Sequence, residues 1–279
     1  METVNLEQLL CTIQPFFMIG KNKIKLIKSL AQKKYRLKQQ RFLAEGDKII
    51  QEVLESNILV KELFATSQFL KANTKHLGKV ERITETGTDE IKKASLLQQP
   101  QNCIAICELP QPPELPQNLN GFCLYLDGIR DPGNLGTIIR TCDWFGMDYL
   151  FCSPDTADVY NPKVIQATMG SFTRVKTIYT PFPALFSLLK STSVSVYGTF
   201  LEGKNIYTEQ LFENALVVLG NEGSGIRREV ATYVANKLNI PAFGKKKEKA
   251  ESLNVAVTTG IICSEFARRR IVIRNENSA

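Results

Sequence analysis

The chain has 279 residues, 43% of them hydrophobic, and a formal net charge of +7. That is enough apolar material for a full core and enough length for one large domain or two ordinary ones, while the basic balance favours a polyanionic partner. Seven cysteines, scattered and with no C-x-x-C pair, argue against a disulfide framework or a zinc site and for reduced, buried thiols in a cytoplasmic protein.

Residues 1–20 read as an N-terminal extension. The segment starts acidic and its apolar run is too short to span a bilayer, so neither a signal peptide nor a membrane segment is expected. From Lys21 to Arg41 basic residues crowd a stretch with no acid before Glu45, on a pattern that predicts a basic helix. Arg36, Arg41 and Lys48 are the candidate contacts to such a polyanion, and counterion release would make binding to a nucleic acid salt-sensitive. "FLAEGDKIIQEVLES" predicts a strand edge and a second helix, and "VKELFATSQFL" and "KVERIT" predict further short elements. Residues 21–108 thus read as a small α/β module. Prolines at 110, 112, 113 and 116 prevent regular structure, and 109–120 reads as a linker.

Beyond it, apolar runs near 122–129, 148–153, 174–180, 195–200, 215–221 and 237–242 predict strands. Helical patterns near 134–145, 161–171, 182–190, 226–236 and 254–270 alternate with them. Such alternation predicts a mostly parallel sheet with helices on both faces, which binds ligands beyond the carboxyl ends of its strands.

Three stretches at those ends carry candidate chemistry. "DPGNLGTIIR", 131–140, has neither the G-x-G-x-x-G of a dinucleotide fold nor a P-loop, so an NAD or ATP site is not supported. Taken alone, Asn134 reads as a helix cap and Arg140 as a solvated arginine beside Trp144. "LVVLGNEGSGIRREV", 216–230, sets Glu222 among three glycines, which suits either close approach to a ligand or a plain polar turn. Ser252-Leu253-Asn254 opens a long helix, where Ser and Asn are most often caps. That helix is apolar on nearly all sides, which predicts burial, in part by a second subunit. The Lys245–Lys249 run reads as a solvated loop. The sole histidine, His76, precedes the linker, so no histidine of the second half serves as a general base. No metal-ligand cluster stands out, and Cys142, on a buried helical stripe, reads as inert.

In this order and spacing the three stretches resemble the SpoU-type (TrmH-like) RNA 2′-O-ribose methyltransferases of the SPOUT superfamily. "LDGIRDPGNLGTIIRTCDWFG" is similar to their first motif, "VVLGNEGSGI" to the second, and "NIPAFG" with "ESLNVAVTTGI" to the third. "NPKVIQATMGS" and "YGTFLEG" match the same style. The likeness covers 121–270, and the first half is similar to the L30e-like RNA-binding domain that many members carry. It implies that 121–279 forms a SPOUT domain whose C-terminal segment makes a deep trefoil knot, that S-adenosylmethionine is the cofactor, and that the protein is a homodimer. Gly220, Ile240 and Leu253 match residues whose backbone surrounds the cofactor's adenosine part, with Thr199 and Asn221 as neighbours. Asn134, Arg140, Glu222, Ser252 and Asn254 match the catalytic and substrate set, with Glu222 expected to order Arg140 or its own loop. The implied substrate is structured RNA, 23S ribosomal RNA before transfer RNA. Loop 243–251 is longer than the connection usual in the family. The competing readings are an RNA-binding protein of this fold without turnover and a Rossmann-type oxidoreductase; the glycine spacing speaks against the latter.

Overall fold

The computed structural model describes residues 13–14, 18–117, 119, 121–190, 192–244 and 252–276. Most of the N-terminal extension and the Lys245–Lys249 run lie outside the described residues. The chain divides into two units. One comprises the described residues up to Gln111 together with Asp158–Thr173, and the other Pro112–Ala157 together with the described residues from Arg174 on.

The first unit holds a five-stranded mixed sheet of β1 (Ile13–Gln14), β2 (Arg41–Glu45), β3 (Val60–Ala65), β4 (Ile83–Glu85) and β5 (Cys103–Glu108), in the order β1-β4-β3-β5-β2. β5 runs antiparallel to both β2 and β3. The basic stretch forms two helices, α1 (Lys21–Ser29) and α2 (Lys33–Gln39), where the sequence pattern predicts one. Arg36 accounts for the break. Its Nη1 donates to the carbonyls of Leu30 at 2.8 Å and Ala31 at 2.9 Å, groups that the end of α1 leaves without helical partners. Helices α3 (Asp47–Glu55), α4 (Ser67–Ala72) and α5 (Thr88–Ala94) complete the N-terminal portion. The segment Asp158–Thr173 with α7 (Pro162–Thr168) packs in this unit, although sequence order sets it beyond the linker. The Tyr160 ring lies 4.9 Å from Phe42, and Gln166 Nε2 donates to the Glu45 carbonyl at 2.7 Å.

The second unit is built on a six-stranded sheet of β6 (Phe122–Asp127), β7 (Tyr149–Cys152), β8 (Lys176–Tyr179), β9 (Ser195–Asn205), β10 (Ala215–Gly220) and β11 (Asn236–Asn239). Its order is β11-β9-β10-β6-β7-β8 and every pairing is parallel. β6 is buried along its whole length, as a strand covered on both faces requires, which is why it reads as a continuous apolar run. Tyr125, Phe151, Leu216 and Val218 pack with Phe182 and Leu185 of α8 (Phe182–Leu189) in one apolar cluster. The helices α6 (Pro132–Trp144) and α10 (Val255–Glu276) lie against each other. Phe266 of α10 stacks on Phe122 with centroids 4.4 Å apart and meets Tyr197 edge-on at 5.7 Å. From β6 the chain moves outward through β7 and β8, then returns to build β9 to β11 on the other side. The strand order therefore reverses between β6 and β10, where a sheet of this kind opens a crevice beyond its carboxyl ends.

Candidate active site

The turn from β6 into α6 passes through Gly128 in the left-handed region, φ 74°, a conformation that disfavours a side chain. Asp131 then caps α6, its carboxylate accepting from the Asn134 backbone N–H at 2.8 Å, and Pro132 takes the first helical position. This fixes the Asn134 side chain at the crevice. Its Nδ2 donates to Glu222 Oε1 at 2.6 Å, and its Oδ1 accepts from Asn254 Nδ2 at 3.0 Å. Asn254 is itself the cap of α10, with Oδ1 accepting from Ala256 N at 2.9 Å. Three side chains from three separate motifs thus form one chain of amide, amide and carboxylate, in which Glu222 accepts from Asn134.

Glu222 sits in a loop fastened at both ends. A Cβ at Gly220 would lie 2.2 Å from the Gly225 carbonyl carbon, so only glycine lets the loop close on its own strand. Asn221 and Gly225 exchange backbone hydrogen bonds at 3.1 and 2.9 Å, and Asn221 Nδ2 donates to the Gly128 carbonyl at 2.8 Å. At the far end the Arg227 backbone N–H and Nε donate to Asp127 at 2.8 and 2.7 Å. Asp127 ends β6 and is 1% exposed, so its charge needs this partner. Arg227 also lies 3.4 Å from Asp155, whose carboxyl is held below the ordinary range chiefly by the Ser153 hydroxyl. Sequence reasoning missed Asp127 and Arg227. The available signal was an acid closing an otherwise apolar strand.

The residues expected to hold S-adenosylmethionine gather at neighbouring strand ends. Thr199 on β9 donates to the Val218 carbonyl at 3.5 Å, Gly220 and Asn221 follow on β10, and Ile240 directly follows β11. Leu253 and Ser252 are exposed just ahead of Asn254. Leu201, Phe243 and Leu253 are exposed apolar side chains on these same segments. A glycine with no room for a Cβ and exposed apolar groups suit an adenosine and a thioether chain, so the residues present fit this cofactor.

Arg140 stands apart from the amide cluster. Six residues of α-helix turn it about 120° and carry it about 9 Å along the axis from Asn134. It is exposed in an open groove of about 360 Å³ lined by Thr137, Thr141, Trp144, Phe145 and Gly260, and Trp144 is 85% exposed. Cys142 is fully buried on the opposite stripe and burial raises its thiol well above the ordinary value, which removes it as a nucleophile. Among the described residues there is no group of acids, cysteines and histidines suited to a metal ion, and no helix long and apolar enough to cross a membrane.

The expected RNA contacts of the first unit fare unequally. Arg36 is 2% exposed and bound to Asp158 at 2.6 Å and to two carbonyls, so it is a structural residue; the expectation that it faces RNA is corrected. Arg41 is half-buried, 3.7 Å from Glu62, which Lys23 also binds at 2.7 Å. Lys48 is exposed and paired with Glu52 at 2.6 Å.

Residues 121–264 match the SpoU rRNA Methylase family, and residues 21–105 match the MRM3-like substrate binding domain. Over 248 residues the chain is 32% identical to the 23S rRNA (guanosine(2553)-2'-O)-methyltransferase RlmP of Bacillus subtilis, spanning 86% of this chain and 94% of that one. It is 35% identical over 155 residues to the 23S rRNA (guanosine-2'-O-)-methyltransferase RlmB of Neisseria meningitidis, spanning 55% of this chain and 60% of that one. Among solved structures, a TrmH-family protein from Porphyromonas gingivalis superposes with a TM-score of 0.81 at 38% identity, covering 91% of this chain and 100% of that one. An AdoMet-bound rRNA methyltransferase from Sinorhizobium meliloti gives a TM-score of 0.81 at 27% identity, covering 92% and 98%. On the match over 121–264 and the likeness to the Bacillus enzyme along most of both sequences, the chain belongs to the SpoU rRNA methylase family.

Proposed function

We propose that the protein is an S-adenosylmethionine-dependent methyltransferase acting on a ribose 2′-hydroxyl of structured RNA, 23S ribosomal RNA in particular. The observation that carries this reading is the hydrogen-bonded chain Asn254–Asn134–Glu222 at the strand ends beside a cradle that fits the cofactor. The Bacillus relative supports the substrate class, since its name specifies 2′-O-methylation of 23S rRNA.

When bound, S-adenosylmethionine supplies a methyl group on a sulfonium centre. Backbone groups at Gly220, Ile240 and Leu253 hold its adenosine part, with Thr199 and Asn221 beside them. Displacement at a methyl carbon demands alignment above all, and the amide chain provides it: Asn134 is fixed from both sides, so the groups it presents to the ribose are preorganised. Arg140 binds the phosphate flanking the target nucleotide and steers the 2′-oxygen. The hydroxyl proton passes to that phosphate or to water. Ser252 belongs to the substrate side of the same strand-end cluster.

Two further features belong to this reading. Arg140 reaches the site from a second copy of the chain, because it lies round the helix from Asn134 in a groove that the exposed Trp144 lines, and Val257 near the start of α10 is exposed as well. A homodimer packed on α6 and α10 covers those groups. The C-terminal segment forms a deep trefoil knot, supported by the return of the chain after β11 to bring Asn254 onto Asn134. Arg41 and Lys48, on the substrate-binding half, contribute to RNA affinity. The six described cysteines are all buried and unpaired, in keeping with a cytoplasmic enzyme. Methyl transfer to ribosomal and to transfer RNA, compared side by side, tests the substrate; preference for transfer RNA would overturn that part.

A further inference from the structure

β9 and β11 pair in two separated stretches. Asn236 faces Tyr197 and Lys237 faces Gly198, but the next residue, Leu238, faces Lys204, and Asn239 faces Asn205. Residues 199–203 therefore leave the ladder as a bulge on a strand that should otherwise run straight. The bulge contains Thr199 and Leu201, the latter 75% exposed. It returns tightly: a Cβ at Gly203 would lie 2.9 Å from the Lys237 carbonyl oxygen, leaving glycine alone able to close the loop there.

One side chain spans this bulge. Asn239 Nδ2 donates to the Phe200 carbonyl at 3.3 Å and to the Leu201 carbonyl at 2.7 Å, while the Asn239 carbonyl accepts from Ile206 N at 3.0 Å. Lys237 Nζ lies over the Phe200 ring, 5.1 Å from its centroid, on the same crossing. The residue after Asn239 is Ile240. A single amide thus ties together two segments that face the cofactor in the reading above, one before it on β9 and one after it on β11. A carboxamide is the group this requires, because one nitrogen must supply two donors to two successive carbonyls.

We propose that Asn239 is a positioning residue for the S-adenosylmethionine cradle, an inference that rests on the cofactor reading of these loops. By holding the 199–203 bulge against the end of β11 in the free protein, it spares the cofactor the entropy of ordering five loop residues on binding. It touches neither the ribose nor the reacting methyl, so its effect falls on affinity for the cofactor.

Asn236 provides the control. It donates from the same strand to the same neighbour, Nδ2 to the Val196 carbonyl at 3.2 Å, but ahead of the bulge. The test is calorimetric titration of S-adenosylmethionine into the full chain, for wild type, Asn239→Ala, Asn239→Asp and Asn236→Ala, with thermal unfolding of each without cofactor. Asn239→Ala should bind roughly tenfold more weakly, as expected on losing two neutral hydrogen bonds that preorganise a site. Asn239→Asp, which turns an acceptor toward two carbonyls, should bind at least as weakly, and Asn236→Ala should bind like wild type. In turnover, the loss in Asn239→Ala should fall on KM for the cofactor more than on kcat. Should Asn239→Ala fold poorly, Asn239→Ser, which keeps one donor, should still lie between wild type and Asn239→Asp. Unchanged affinity in the Asn239 variants overturns the proposal, as does an equal loss in Asn236→Ala, which would make the effect one of general strand pairing. A wild type that binds no S-adenosylmethionine overturns the cofactor reading itself, and the proposal with it.

Discussion

Asn254 donates its side-chain amide to Asn134 at 3.0 Å across 120 residues of chain, and Asn134 passes the contact on to Glu222. Asn254 caps α10 through Oδ1 and turns its Nδ2 to the crevice, whereas Asn134 leaves the capping of α6 to Asp131 and commits both side-chain groups to the crevice. The two helices α6 and α10 are thus locked to the loop after β10 by side chains rather than by backbone pairing.

That relationship predicts how the site fails. Asn134→Ala removes both side-chain contacts at once and should lower kcat roughly a hundredfold through lost alignment. Asn134→Asp should do no better, because it sets a second carboxylate against Glu222. Both should retain cofactor binding. Single-turnover methyl transfer at saturating cofactor, with affinity measured separately, checks this; near-normal turnover in either variant would remove Asn134 from the aligned set.

Arg140 should work across a subunit boundary. Arg140→Ala and Glu222→Ala should each be inactive alone, yet mixing and reannealing them should restore roughly a quarter of wild-type activity, because half the dimers then carry one intact site. A mixture as inactive as its parents would place Arg140 in its own subunit's site. Arg140→Lys should lose at least about tenfold, since an ammonium cannot replace a bidentate guanidinium on phosphate.

The Asp127–Arg227 pair should be felt in stability. Arg227→Ala leaves a buried carboxylate with no counter-charge, a change that costs about 3–5 kcal/mol in fully buried pairs. Arg227 is 39% exposed, so water offsets part of the loss and about 2 kcal/mol is expected. Replacing both residues with apolar ones of similar size should recover much of it. Urea denaturation of the single and double variants reads the difference, and additive losses would show that the pair does not act as one unit.

Glu265 gives the molecule a pH dependence. Its carboxyl is held below the ordinary range, first by the hydrogen bond from Arg268 and, against burial, by Arg269. A carboxylate depressed in the folded state stabilises fully above its unfolded value, about 4.3 for glutamate, and loses that contribution as pH falls through the lower folded value. Arg269 also donates to the Ile206 carbonyl at 2.8 Å, so protonation loosens the loop after β9 as well. Thermal unfolding between about pH 6 and pH 3 should show a smaller acid loss in Glu265→Gln than in wild type. Parallel curves would contradict this.

Much of the second unit was legible because its strands are buried on both faces and read as unbroken apolar runs: β6 and β10 fall where 122–129 and 215–221 predict them. The short α9 (Arg228–Ala231) shows the limit, since the pattern to 236 looks helical. The chain there must instead turn into β11 at Asn236, a demand of topology rather than of local sequence. β9 runs to Asn205, beyond the expected end at 200, because the pairing resumes after a bulge that no periodicity marks. Likewise the basic stretch reads as one helix until Asp158, 122 residues away, draws Arg36 inside. In the site, Asn134, Glu222 and Asn254 could be named from three ordered motifs. Their mutual hydrogen bonds, and the pairing of Asp127 with Arg227, join positions too far apart in sequence to leave a local pattern.

The most direct test of the account is methyl transfer itself. The full chain, incubated with tritium-labelled S-adenosylmethionine and ribosomal RNA from cells lacking the gene, should place label in a single 2′-O-methylated nucleoside after digestion, and Asn134→Ala should abolish it. Label on a base, or no label under conditions where the protein binds the cofactor, would contradict the assignment.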